Sequence, residues 1–421
     1  MKEKVASVGR CKLAIITALP KEFAAVEAML DQHDDVVITG DPGRYTIGMI
    51  GPHPVVVALL PKMGNNLAAV VSSNLLRSFP NINDILMVGI AGGVPDPKNP
   101  ENHVRLGDIV VSMDKGVMQF DSGKRERVIH KGKSSREHFI IRASDPPPSA
   151  RLQQAVRLLE ARRIRKKYPW EQYIARATGL ENAKRPPNTK DILYDSTDIN
   201  KVILHPKDAL RRPGKPKLHY GLIGSSNTVQ KDPQLRDRLR DEHKVRAIEM
   251  EGSGIAAATW ANGRAGYLLI RGICDYCDSH KNNMWQGYAA VVAAAYARAL
   301  IESIPEDITA SVTPQQSNIH LAYPPAVETA NLRFDCYEQE RLPDNYIERP
   351  EILAIIREQL LNVAPIHVKT PTEKQTTIAL HGMGGVGKSV IARALCDDSL
   401  LQAAFPDGIL FTRLGKIPNI K

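Results

Sequence analysis

Residues 84 to 96 read DILMVGIAGGVPD: an apolar run passes without a polar break into a double glycine and then a Pro-Asp turn. A strand apolar on both faces belongs in the middle of a sheet covered on both sides. The glycines that follow it let backbone N–H groups approach a ligand closely. This stretch therefore predicts a central strand of an α/β domain, with a binding site at its carboxyl end.

The surrounding chain repeats the theme. KLAIITAL (12–19), HPVVVALLP (53–61), LGDIVVSMDKGV (106–117), LHYGLIGSS (218–226) and GYLLIRGICDY (266–276) read as strands. KEFAAVEAMLD (21–31), NNLAAVVSSNLLRSF (65–79), KDPQLRDRLRDEH (231–243) and YAAVVAAAYARALIES (288–303) carry helical spacing. Strands alternating with helices predict a three-layer α/β/α domain over residues 1–305. Residues 306–345, rich in Pro, Gln, Ser and Thr, read as a linker, and a second unit spans 346–421. The basic start of the chain precedes an apolar run too short for a signal peptide, and no run is long enough to span a bilayer. Five scattered cysteines with one C-x-x-C pair read as reduced thiols without a metal. The expectation is a soluble cytoplasmic protein.

The formal charge of +10 is concentrated in one place. Residues 121–220 hold 24 Lys and Arg against 11 Asp and Glu, so the remainder is slightly acidic. The segment reads as an insertion that is either a solvated surface, a site for a small anion or a nucleic-acid contact. Sparse aromatics and the absence of an RNA or DNA motif weigh against nucleic acid.

Two further stretches carry chemistry. RAIEMEGSGIAAATW (246–260) sets Glu249 and Glu251 among apolar residues, where a carboxylate must be paired, hydrogen-bonded or protonated. In TTIALHGMGGVGKSVIARALCDD (376–398), Gly382 to Ser389 match G-x-x-x-x-G-K-[ST]. Gly382, Gly384, Gly385 and Gly387 let amides wrap phosphates, Lys388 reaches the terminal phosphates and Ser389 ligates Mg²⁺. ATP or ADP with Mg²⁺ is the expected ligand of this incomplete P-loop unit. The 32 residues after Ser389 hold no strand ending in acidic residues, which predicts binding without hydrolysis.

Taken in order, AIITALPKEFAAVEAML, VGIAGGVP, LGDIVVS, HYGLIGSSNTVQKD, IEMEGSGIAAA and LLIRGICDYCDSHKNNMWQGYAAVVAAAYA resemble the purine nucleoside phosphorylase and nucleosidase superfamily. They look most like its members fused to nucleotide-binding modules in fungal immune-receptor-like proteins of innate immunity. GMGGVGKS with FPDGILF looks like the start of an NB-ARC module. The resemblance implies a mixed central sheet, a homo-oligomer and cleavage of a purine N-glycosidic bond without a cofactor. Carried onto this chain, it makes Glu251 the ribose clamp with Met250 under the sugar, adds Ala91, Gly92 and Asn227 to the substrate site, and leaves Glu249 to shape the loop. Asp275 takes the place of the acid that protonates the purine, with Asp278 as its rival. Met87 and Ile90 stand where phosphorylases keep an Arg and a Ser for phosphate, and neither side chain can donate to an anion. Glu22 stands where nucleosidases keep the glutamate that activates water. Hydrolysis is therefore expected, with phosphorolysis and a catalytically idle recognition module as alternatives. Fused members include enzymes that release adenine from ATP, and the basic segment is expected to hold the substrate's phosphates.

Overall fold

The computed structural model describes residues 9–128, 136–141 and 145–305, and in the C-terminal part residues 353–354, 356–357, 388–396, 398 and 400–401. The chain divides into two compact units, Met1–Val312 and Thr313–Lys421.

The first unit is built on a nine-stranded sheet. Its strands are β1 (Leu13–Thr17), β2 (His33–Val37), β3 (Arg44–Ile50), β4 (His53–Leu59), β5 (Asp84–Gly93), β6 (Ile109–Gln119), β11 (Leu218–Ser225), β12 (Val245–Glu249) and β13 (Gly266–Asp275). Among the described residues two small two-stranded sheets accompany it, β7 (Gly123–Val128) with β8 (Arg136–Ile141) and β9 (Leu193–Tyr194) with β10 (Val202–Ile203). The order is β12-β11-β6-β13-β5-β1-β4-β3-β2, and β12 also pairs antiparallel with β5. That extra pairing closes β5, β13, β6, β11 and β12 into a ring. Strands β1, β5 and β13 run parallel, and the central run DILMVGIAGG is buried almost throughout, as a strand covered on both faces requires.

Helices α1 (Pro20–Glu27), α2 (Asn65–Ser78), α3 (Ala150–Ile164), α4 (Glu171–Ile174), α5 (Pro233–His243), α6 (Gly252–Asn262) and α7 (Gln286–Ile301) complete the unit. Asp232 caps α5 by accepting from the Gln234 and Leu235 amides, with Pro233 in the first turn. Two positions of β13 show the layering. A Cβ on Gly252 of α6 would meet Leu269, whereas the place of a Cβ on Gly272 is taken by the backbone of Ala289 in α7. Residues 269 and 272 differ by an odd number, so they face opposite sides of the sheet. The two helices therefore cover the two faces. Gly272 also explains why α7 lies so close to the strand: any side chain there would push the alanine-rich helix away.

Two features differ from expectation. The edge hairpin of β2 and β3 was invisible to periodicity, because β2 reads HDDVV and is mostly exposed, with no apolar face to alternate. The segment 121–220 is more than a solvated insertion: Leu152, Val156 and Leu159 of α3, and Trp170, belong to the main core.

In the second unit the described residues include helix α8 (Lys388–Cys396) and a small core of Leu353, Ile356, Ile391, Leu395 and Leu401, with Arg357 paired to Asp398 at 2.8 Å. The linker 306–345 and Gly382, Gly384, Gly385 and Gly387 lie outside the described residues, and Lys388 and Ser389 are described only as helical backbone. Among the described residues no helix is long and apolar enough to cross a membrane.

Candidate active site

The carboxyl ends of β1, β5 and β13 and the turn after β12 surround a cleft of about 250 Å³. Ligands of open α/β sheets bind beyond strand carboxyl ends, where loops are free to vary. One wall is a buried cluster of charge. Arg271, midway along β13, is fully buried, and its Nη2 donates to Glu249 and, at 3.2 Å, to Glu251. Its Nε and Nη1 meet no acceptor among the described residues.

Glu22 lies beside this guanidinium. One of its carboxylate oxygens accepts from the Ala18 and Leu19 amides at 2.8 Å each, and the other accepts from the Ile90 amide at 2.7 Å. The carboxylate thus ties the start of α1 to the glycine-rich end of β5. Burial pushes its carboxyl up, opposed by Arg271 and by these three amides. Glu251 is raised to about 8 by burial, with Arg271 opposing and Glu249 and Glu22 adding repulsion. The Gly64 amide donates to its other oxygen at 3.3 Å. Glu249 accepts from the Glu251 and Gly252 amides at 3.0 and 2.8 Å, so it closes the turn that leads into α6.

The opposite wall carries Asp275. Its Oδ1 accepts from the Cys277 amide at 2.9 Å, and its Oδ2 lies 3.0 Å from Lys281 Nζ and 3.2 Å from the Cys274 thiol. Burial alone would lower the Lys281 ammonium, but Asp275 holds it above its usual value. Gly92 has no room for a Cβ, which would fall 2.2 Å from Cys277 Sγ and 2.9 Å from Asp275 Oδ1. A glycine there is what lets the acid stand against β5.

Of the residues singled out by sequence, Glu22, Ala91, Gly92, Met250, Glu251 and Asp275 all line this cleft. Asp278 does not: it accepts from the His280 amide at 2.9 Å and shapes its own turn. Asn227 is not among the lining residues either. Its side chain accepts from the Asn65 amide at 3.2 Å, at the start of α2, and its neighbours Thr228, Val229 and Gln230 line the cleft instead. None of the described residues of 121–220 lines the cleft. The cations that do line it are Lys21 and Lys281.

Sequence reasoning gave Arg271 no role, although an arginine inside the apolar strand YLLIRGIC was a signal in itself, since such a group is buried only when paired. Lys281 left no comparable mark, because a lysine in a polar loop looks like any surface lysine.

A nucleotide-binding leucine-rich repeat (NLR)-like protein of Hyaloscypha variabilis is 33% identical over 407 residues, which cover 93% of this chain and 36% of that protein. ATP nucleosidase Cap17 of Escherichia coli is 26% identical over 288 residues, 66% of this chain and 49% of that enzyme. The chain thus spans less than half the length of these relatives. Among solved structures, a 5'-methylthioadenosine/S-adenosylhomocysteine nucleosidase of Helicobacter pylori aligns at 14% identity and a TM-score of 0.47, covering 70% of this chain and 99% of that chain. Futalosine hydrolase of the same organism aligns at 15% and 0.46, covering 70% and 98%. The family model of the phosphorylase superfamily matches residues 12–304, from the first strand of the sheet to the end of the helix packed against Gly272, and the chain belongs to that superfamily.

Proposed function

We propose that this chain hydrolyses the N-glycosidic bond of a purine nucleoside or nucleotide. The observation that carries the reading is one buried guanidinium, Arg271, shared by Glu249 and Glu251 and set beside Glu22, across a cleft from Asp275. Departure of the base leaves an oxocarbenium-like sugar and a poor purine anion, so the barrier falls when the base is protonated and a nucleophile waits at the anomeric carbon. The base takes the place of Lys281 beside Asp275, whose carboxyl, released from that ion pair, takes up a proton from solvent and passes it to the leaving base. Glu251 accepts the ribose hydroxyls, with Met250 under the sugar. Glu22, held by three amides, positions and deprotonates water, and the unpaired Nη1 of Arg271 supports that water from the same side.

Water is favoured over phosphate by a specific feature. The Ile90 amide already donates to Glu22, and Met87 is wholly buried, so this end of β5 offers an anion no free donor from either residue. The expected outcome is a sugar product with a free 1-hydroxyl, formed at a rate indifferent to added phosphate, with ¹⁸O from labelled water at C1. Ribose 1-phosphate, or a requirement for phosphate, overturns the reading in favour of phosphorolysis.

The similarity to an ATP nucleosidase supports ATP as the substrate, and Lys21 and Lys281 are the cations available at the cleft for its phosphates. Incubation with a panel of nucleosides and nucleotides, followed by detection of free base, tests this. The P-loop of residues 382–389 is proposed to bind ATP or ADP with Mg²⁺ through Lys388 and Ser389, as a switch that gathers the N-terminal units into a cytoplasmic homo-oligomer. Similarity over 93% of the chain to an NLR-like protein supports it.

A pH dependence follows from Glu251. The clamp must be ionised to accept two O–H donors, and in the free protein its carboxyl is raised to about 8. Because kcat/KM reports ionisations of the free enzyme, this group makes it climb about tenfold per pH unit below that value. A flat profile from about pH 6 to about pH 8 would remove Glu251 from this role.

A further inference from the structure

The positive charge of the inserted segment converges on a second cavity. It measures about 640 Å³, shares no lining residue with the catalytic cleft, and is walled by Arg105, Arg185, Lys207, Arg211, Arg212 and Lys215. Asp208 is the one carboxylate among its lining residues, and it is engaged by Lys217 and the Leu210 amide. Several of these cations are braced from behind. Asp108 grips Arg211 through two hydrogen bonds of 2.8 and 2.6 Å, and Asp191 holds Arg105 at 2.7 Å. Arg212 lies over the Tyr168 ring at 3.3 Å and, with Lys215, pairs with Glu171 behind the wall, while Arg185 lies over Trp285 at 5.2 Å. Among the described residues, Arg185 and Lys207 meet no carboxylate.

We propose that this cavity is a second binding site, separate from the catalytic cleft, for a small anion carrying a chain of phosphates. Fixed guanidinium forks present several donors at once and match phosphate oxygens, and bracing lowers the entropy lost when they are engaged. Like charges gathered in one concavity repel one another, and a polyanion converts that repulsion into attraction. A nucleic acid fits less well. Single strands bind by stacking bases on exposed aromatic rings, whereas Tyr168 and Trp285 lie beneath Arg212 and Arg185. The site also has a route to the chemistry. Asp191, which holds Arg105, accepts a hydrogen bond from Tyr276, the neighbour of Asp275.

The test is calorimetric titration of inorganic tripolyphosphate into the full chain carrying Lys388→Ala, at low salt and without Mg²⁺, so that the P-loop does not contribute. One-site binding is expected. It should weaken roughly 100-fold in Arg185→Glu with Lys207→Glu, about tenfold for each cation reversed, and less in the milder pair Arg185→Gln with Lys207→Gln, whose melting temperature checks the fold. Lys21→Ala with Lys281→Ala, at the catalytic cleft, should leave the affinity unchanged. An ATP arm in an Asp275→Asn, Lys21→Ala, Lys281→Ala background, read only from the binding that Arg185→Glu with Lys207→Glu removes, separates the sources of the phosphate chain: ATP about tenfold tighter than tripolyphosphate assigns a nucleotide, and equal affinity assigns the bare chain. Unchanged affinity in the charge-reversed pair, loss in the Lys21 and Lys281 pair, or tighter binding of a single-stranded RNA through the same residues overturns the proposal.

Discussion

Replacing Asp275 by asparagine lowers kcat for base release by roughly 100- to 10,000-fold, the range that general acid catalysis supplies. Asparagine keeps an acceptor for the Cys277 amide, which Oδ1 now receives at 2.9 Å, so the turn after β13 survives. What it removes is the proton for the leaving base and the partner of Lys281. A second substrate separates chemistry from structure. A riboside whose leaving group needs no protonation, such as a nitrophenyl riboside, should be cleaved by the variant at close to the parent rate. Equal losses on both substrates would mark Asp275 as a positioning residue, and near-parental turnover of the purine substrate by the folded variant would remove it from the mechanism.

Arg271→Met carries the largest cost to stability, about 3–5 kcal/mol, the usual penalty for removing one partner of a buried ion pair. The fully buried guanidinium is shared by Glu249 and Glu251, and Glu22 feels its field. Without it these buried carboxyls must either remain charged without compensation or take up protons. The pH dependence shows which they do. Burial already raises Glu22 and Glu251 above their ordinary value of 4.5, so the folded state holds protons that the unfolded chain releases, in the case of Glu251 between that value and about 8. Their contribution to stability therefore falls as pH rises through this window. Removing Arg271 raises both groups further and steepens the fall. The gap in melting temperature between parent and variant should be wider at about pH 8 than at about pH 5. A gap that is constant or narrower at high pH would mean that Arg271 stabilises by packing and not by neutralising the cluster.

Most of the cleft is legible in the sequence because its residues are tied to local pattern. A strand buried on both faces announces itself as a continuous apolar run, and DILMVGIAGG does so. Glu251 and Asp275 are conspicuous as carboxylates in apolar company, and both line the cleft. Sequence carries no information on which way a turn points its side chains: the amide oxygen of Asn227 serves the start of α2, and the adjacent residues line the cleft.

The sequence by itself determined the alternation of strands and helices, the glycines that bring backbone to the site and the carboxylates able to do acid and base work, because each depends on residues close together in the chain. Only the tertiary structure decided what those groups touch. The pairing of β12 with β5 across more than 150 residues brings Glu249 and Glu251 to Arg271, and the path of residues 185–215 carries the excess positive charge to a cavity of its own. Charge has no periodicity, so composition shows how much of it there is, and only the fold shows what it faces.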